Sequence, residues 1–212
     1  MAKPLFIYLH GFNSSPGSHK AQQFKQWMAD AGRSDELLIP TLPHWPERAI
    51  RLLEQLVERH RERDITLVGS SLGGFYSIYL VEKYLIEKYQ VRAVLVNPAV
   101  RPYDLLEELL GEQGNYYTDE RYILTRKHLE QLLAIDCPVL SYPQQYLLLT
   151  QTADETLDYS EAVDKFADSP QLVQQGGSHG FEQFERVIPV ILAFAEGRIE
   201  LPDVTDLTDQ SK

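Results

Sequence analysis

Gly69-Ser70-Ser71-Leu72-Gly73 sets a serine between two glycines, directly after the β-branched and apolar run Ile65-Thr66-Leu67-Val68. Phe75, Ile78, Tyr79, Leu80, Tyr84 and Leu85 then form a long helical pattern. A strand that enters Gly-x-Ser-x-Gly and leaves as a helix is the sequence of a nucleophile elbow, a sharp turn that lifts a serine hydroxyl above a parallel sheet. The turn brings neighbouring backbones too close for a Cβ at positions 69 and 73, and it holds the nucleophile in a strained region of φ/ψ. The five-residue pattern alone is weak, since it arises by chance in about one chain of this length in fifteen. A phosphate-binding turn is the competing reading, but no Gly-Lys-Ser/Thr is present and no Gly-x-Gly-x-x-Gly opens a helix. The strand before and the helix after make Ser71 the candidate nucleophile.

A serine hydroxyl attacks only when a base takes its proton and an acid orients that base. Behind an elbow of this kind the chain order is serine, then Asp or Glu, then His. Of six histidines only His179 lies beyond the fifth strand, in the loop Gly176-Gly177-Ser178-His179-Gly180-Phe181. His10 is the alternative base, but it precedes the serine and reads better as a residue bracing its own loop. The acid belongs after the fifth strand, where Leu147-Leu148-Leu149-Thr150-Gln151-Thr152-Ala153 leads to Asp154. Glu155 and Asp158 are the runners-up, and both fit the acidic start of the next helix without any chemistry. An oxyanion requires two backbone N–H donors. Leu72, the residue after the nucleophile, supplies one, and Phe12 in Leu9-His10-Gly11-Phe12-Asn13-Ser14-Ser15 supplies the other.

These residues need a scaffold, and strand alternates with helix along most of the chain. Strands are expected at Leu5–Leu9, Glu36–Ile39, Ile65–Val68, Ala93–Val96, Tyr146–Thr150 and Leu172–Gln174. Helices are expected from Ser18 to Ala31, from Pro46 to Arg61, after the elbow, and at Tyr159–Phe166 and Phe181–Ala195. The expectation is an α/β fold with helices on both faces of a mostly parallel six-stranded sheet, in order 2-1-3-4-5-6. The interval from Asn97 to Tyr142 breaks the rhythm. It carries helix-like pieces at Leu105–Leu110 and Arg126–Ile135 around the polar Asn115-Tyr116-Tyr117, and reads as a small cap over the site. One domain is expected over 1–196, followed by an acidic, flexible tail over 197–212 that holds Asp203, Asp206 and Asp209.

Composition narrows the partners. The chain has 212 residues, 43% of them hydrophobic and 24% charged, which suits one soluble domain. A net charge of −11 argues against nucleic acid and against anionic membrane surfaces. Met1-Ala2-Lys3-Pro4 runs straight into the first strand, leaving no room for a signal peptide, and no apolar run reaches the length of a membrane span. The lone cysteine, Cys137, fits a reducing cytoplasm and reads as a structural residue, since no histidine neighbours it. Neither a metal nor an organic cofactor is expected.

Five stretches together resemble the small bacterial esterases of the YqiA type, in the α/β-hydrolase superfamily. They are Tyr8-Leu9-His10-Gly11-Phe12-Asn13-Ser14-Ser15-Pro16, Val68-Gly69-Ser70-Ser71-Leu72-Gly73-Gly74, Val96-Asn97-Pro98-Ala99-Val100-Arg101-Pro102, Gln151-Thr152-Ala153-Asp154-Glu155-Thr156-Leu157-Asp158-Tyr159 and Gly176-Gly177-Ser178-His179-Gly180-Phe181. The resemblance covers roughly residues 4–194 and implies carboxylesterase-type activity on a small-molecule ester, with Ser71, Asp154 and His179 as nucleophile, acid and base. Ala153, where glycine is expected, and Ser178, where asparagine is expected, depart from the pattern. An acyl-thioesterase with the same triad is the nearest rival. A peptidase fits less well, and a non-catalytic binding module on the same fold is the alternative from a different class.

Overall fold

Strands buried on both faces read as unbroken apolar runs, and here that pattern produces a parallel sheet between two helical layers. The computed structural model describes residues 4–86, 90–202 and 205–207. The main sheet contains β1 (Leu5–Leu9), β2 (Leu37–Leu38), β3 (Ile65–Ser71), β4 (Val91–Pro98), β7 (Tyr146–Gln151) and β8 (Gln171–Gln174). Its order is β2-β1-β3-β4-β7-β8, with every neighbouring pair parallel. Counting main-sheet strands alone, this is the order expected from the sequence. Helices α1 (His19–Asp30), α2 (Pro46–Arg59), α3 (Leu72–Ile86), α6 (Tyr159–Lys165) and α7 (Ile188–Ala195) cover it, and an excursion after β4 carries two further helices and a separate strand pair.

Side-chain alternation along β1 sorts the core into two layers. Leu5, Ile7 and Leu9 pack with Leu53 and Val57 of α2 and with Phe75 and Ile78 of α3. Phe6 and Tyr8 point the other way, against Phe24 and Met28 of α1 and Ile188 and Ile191 of α7. Burying each such aliphatic or aromatic side chain contributes roughly 1.5–3 kcal/mol. Because the strands are parallel, the chain leaves β1, β3, β4, β7 and β8 at one sheet edge. The five sequence motifs therefore meet there.

Three expectations change in detail. Glu36 belongs to a turn of 3₁₀ helix, and β2 is only Leu37–Leu38. The segment 181–195 is not one helix: Phe181 and Gln183 adopt φ of 59° and 58°, a 3₁₀ turn covers Phe184–Arg186, and α7 starts at Ile188. Pro189 explains the break, because proline is tolerated in a first turn but not in a helix interior. The excursion after β4 holds α4 (Pro102–Glu107), the antiparallel strands β5 (Gly111–Gly114) and β6 (Arg121–Leu124), and α5 (Arg126–Leu133). The Tyr-rich stretch lies between those strands. Of the expected tail, residues 203–204 and 208–212, including Asp203 and Asp209, lie outside the described residues. Of its described residues, Thr205 accepts the Gln175 N–H on its carbonyl, and Leu207 donates its N–H to the Gln175 carbonyl.

Candidate active site

Ser71 ends β3 with φ of 54°, in the left-handed region that a non-glycine residue rarely adopts. The pairing of β3 with β4 slips between Ser70 and Ser71, and the Ser71 carbonyl then accepts the Ala99 N–H at 3.1 Å. The flanking glycines are steric requirements. A Cβ on Gly69 would lie 2.4 Å from the Gly73 carbonyl oxygen, and one on Gly73 would lie 2.1 Å from that of Leu9. Strand, serine and helix thus fit together only without those two side chains.

His179 Nδ1 stands 2.8 Å from Asp154 Oδ2 and 3.0 Å from Oδ1. Oδ1 also accepts the N–H groups of Thr156 and Leu157, each at 2.9 Å, so the carboxylate is fixed from two directions. The Asp154 side chain is only 2% exposed, whereas that of His179 is 25% exposed. An ionised carboxylate only accepts, so Nδ1 carries the proton and Nε2 is left with a free lone pair. Glu155 takes a different place: its Oε2 accepts the backbone N–H of His179 at 2.9 Å, and that bond holds its carboxyl below the usual range. Asp158 caps α6 by accepting the Ser160 N–H.

The loop that carries His179 is held from below. Asn97, buried at the end of β4 with φ of 42°, donates to the carbonyls of Ser178 (2.9 Å) and His179 (3.2 Å). Its own carbonyl oxygen accepts the Gln151 N–H at 3.0 Å. The Gln151 side chain is fully buried, accepts the N–H groups of Ser178 and Glu182, and donates to the Glu182 carbonyl. Lys20, in the first turn of α1, donates to the carbonyl of Gly180 at 2.9 Å. One asparagine and one glutamine thereby tie the acid strand, β4 and the histidine loop together.

The loop after β1 lies against the serine, since a Cβ on Gly11 would sit 3.1 Å from the Ser71 Cβ. Phe12 and Leu72 line the same cleft as Ser71 and His179, a space of about 400 Å³. Leu72 opens α3, where an N–H has no intrahelical acceptor. Among the described residues, neither the Phe12 nor the Leu72 N–H meets an acceptor. His10 braces the loop: Nε2 accepts the Leu42 N–H at 3.1 Å, Nδ1 donates to the Gly11 carbonyl, and burial lowers its pKa. The excursion after β4 docks on the same loop. Asn13 bonds Gln113 (3.0 Å) and Tyr122 (2.7 Å), and the Ser14 carbonyl accepts from Asn115. Leu105, Leu106 and Leu109 from the α4 region and Tyr116 and Tyr117 between β5 and β6 add an apolar wall to the cleft.

The model of a protein family described as Uncharacterised protein family (UPF0227) matches residues 5–196. The chain belongs to this family. It is the YqiA-type family whose motifs the sequence carries. Several solved structures are similar to this UPF0227 member in fold. Est1E from Butyrivibrio proteoclasticus, with ferulic acid bound, is 14% identical with a TM-score of 0.70, covering 92% of this chain and 89% of that one. Alpha/beta hydrolase domain-containing protein 10 from mouse is 15% identical with a TM-score of 0.66, covering 92% and 89%. The esterase domain of a Rhodothermus marinus protein is 14% identical with a TM-score of 0.64, covering 92% and 87%. The fold is that of the α/β-hydrolases.

The two departures from the UPF0227 pattern are accommodated locally. Ala153 is absent from the left-handed positions and donates its N–H to the Gly176 carbonyl, so alanine fits its backbone. Ser178 acts in the loop through its N–H and carbonyl, which any residue supplies. Asn97, Gln151 and Lys20 are the site residues that sequence reasoning left without a role. For Asn97 and Gln151 a signal existed, a polar residue at the end of an apolar strand.

Proposed function

We propose that this UPF0227 member is a serine carboxylesterase acting on short-to-medium acyl esters. The observation that carries the reading is the pairing of a nearly inaccessible Asp154 carboxylate with His179 Nδ1, on a cleft whose floor holds Ser71 in a left-handed conformation. In this reading His179 Nε2 takes the Ser71 proton as Oγ attacks the ester carbonyl. The N–H groups of Phe12 and Leu72 receive the oxyanion, and Asp154 stabilises the imidazolium. The tetrahedral species collapses, the alkoxide leaves with the proton from His179, and an acyl group remains on Ser71. Water, deprotonated by His179, then attacks the acyl-enzyme and releases the carboxylic acid. The leucines and tyrosines of the cleft wall suit the acyl chain.

Cys137 is not a second nucleophile in this account, because burial raises its thiol pKa to about 11. The chain's single cysteine leaves no internal disulfide to form, which suits the cytoplasm proposed for it. The test is hydrolysis of a p-nitrophenyl ester series by wild type and Ser71→Ala. Turnover by wild type that falls by a factor on the order of 10⁴ or more in the variant, with an unchanged circular dichroism spectrum, agrees with the reading. Equal turnover by both proteins overturns it.

A further inference from the structure

Lys20 stands where stability alone does not favour a cation. It occupies the first turn of α1, whose positive end disfavours it, and that turn contains no acidic residue. It is half-buried, and among the described residues no carboxylate lies within ion-pair distance of its ammonium. Asp154, whose charge acts on it, is engaged by His179 and two backbone N–H groups. Two of its three donors face the carbonyls of His179 (3.5 Å) and Gly180 (2.9 Å), and Lys20 lines the cleft beside Ser71. A partly desolvated ammonium held by two neutral carbonyls is an incomplete site for an anion.

Resting on the esterase reading, we infer that Lys20 is a specificity-determining residue that recognises a carboxylate on the alcohol portion of the substrate. The side follows from the chemistry. His179 hands its proton to the leaving alkoxide, so the alcohol lies on the imidazole's side of Ser71, and Lys20 is bonded to the backbone of His179 and Gly180. The apolar wall of Leu105, Leu106 and Leu109 is left for the acyl chain. A carboxylate is favoured over a phosphate because one ammonium supplies the charge, and a chain of net charge −11 repels a dianion more strongly.

The test compares 4-carboxyphenyl butyrate with phenyl butyrate, each with wild type and Lys20→Met. The expected result is a loss in kcat/KM that is about ten-fold or more greater for the charged ester than for the neutral one, whatever the neutral ester loses through the histidine loop. Lys20→Arg restores most of the difference. An equal loss on both esters means that Lys20 only braces the histidine loop, and overturns the proposal. A second readout needs no variant. Burial lowers the Lys20 pKa to about 8, so the wild-type ratio of charged to neutral kcat/KM falls between pH 7 and pH 10. A ratio that stays flat there contradicts the proposal. Should wild type hydrolyse neither ester and Ser71 resist acylation, the esterase reading itself fails. Calorimetry with 4-hydroxybenzoate then decides the anion site: binding weakened about ten-fold in Lys20→Met supports it, and equal or no binding overturns it.

Discussion

Among single residues, the proposed chemistry depends on one imidazole tautomer. Asp154 selects the form of His179 that carries its proton on Nδ1 and leaves Nε2 as the base. Asp154→Asn can turn its amide N–H toward Nδ1 and select the opposite tautomer. The expected loss in kcat on p-nitrophenyl butyrate is about 10⁴-fold. Glu155→Gln, one residue along, removes charge from a group that accepts the backbone N–H groups of His179 and of Glu155 itself, and less than a ten-fold loss is expected from the same assay. Comparable losses in the two variants would contradict this division of roles. The sequence singles out Ser71 and His179 as candidates because glycines surround both and their order along the chain is the one an elbow of this kind requires. The roles of Asn97 and Gln151 were not legible because their partners lie on a neighbouring strand and in the loop after β8, within reach only once β4, β7 and β8 are neighbours.

At the scale of elements, the site depends on how strand ends are joined. Gly73→Ala would push a Cβ to 2.1 Å from the Leu9 carbonyl oxygen, where backbone on both sides must move. Poor yield of folded protein, or a thermal midpoint far below wild type, is the expected outcome. Asn97→Ala deletes the bonds that join Gln151, Ser178 and His179, and leaves buried backbone groups without partners. It should lower unfolding free energy by about 1–3 kcal/mol in urea titrations, and reduce kcat by loosening the histidine loop. A variant as stable as wild type would show that Asn97 is not the brace described. The pattern of β1, β3, β4 and β7 was legible in the sequence because both of their faces are buried, which leaves long apolar runs. The β5–β6 pair was not: Gly111-Glu112-Gln113-Gly114 has no apolar alternation, and its position is set by contacts of Asn13 and Ser14 far away in the chain.

At the scale of the whole molecule, two buried histidines couple folding to pH. Burial lowers the pKa of both His10 and His128 from 6.5. The unfolded chain therefore binds protons near pH 6.5 that the folded chain takes up only at lower pH. Stability from these groups is complete above pH 6.5 and declines as the pH falls below it, by at most about 1.4 kcal/mol per pH unit for each. Thermal midpoints should drop between pH 7.5 and pH 5.5, and the drop should shrink in His128→Gln. A midpoint that is flat or rises on acidification contradicts this. Composition and charge had bounded the molecule as one acidic domain, yet they carried no sign of these histidines, whose burial is a property of the assembled layers.

The central claim is that Ser71 is an activated nucleophile. Intact mass and peptide mapping after reaction with a fluorophosphonate probe test it most directly. A single adduct on Ser71 is expected, formed by folded wild-type protein and absent from both Ser71→Ala and the urea-unfolded chain. No adduct on the folded protein, or an adduct on another residue such as Ser70, would contradict it.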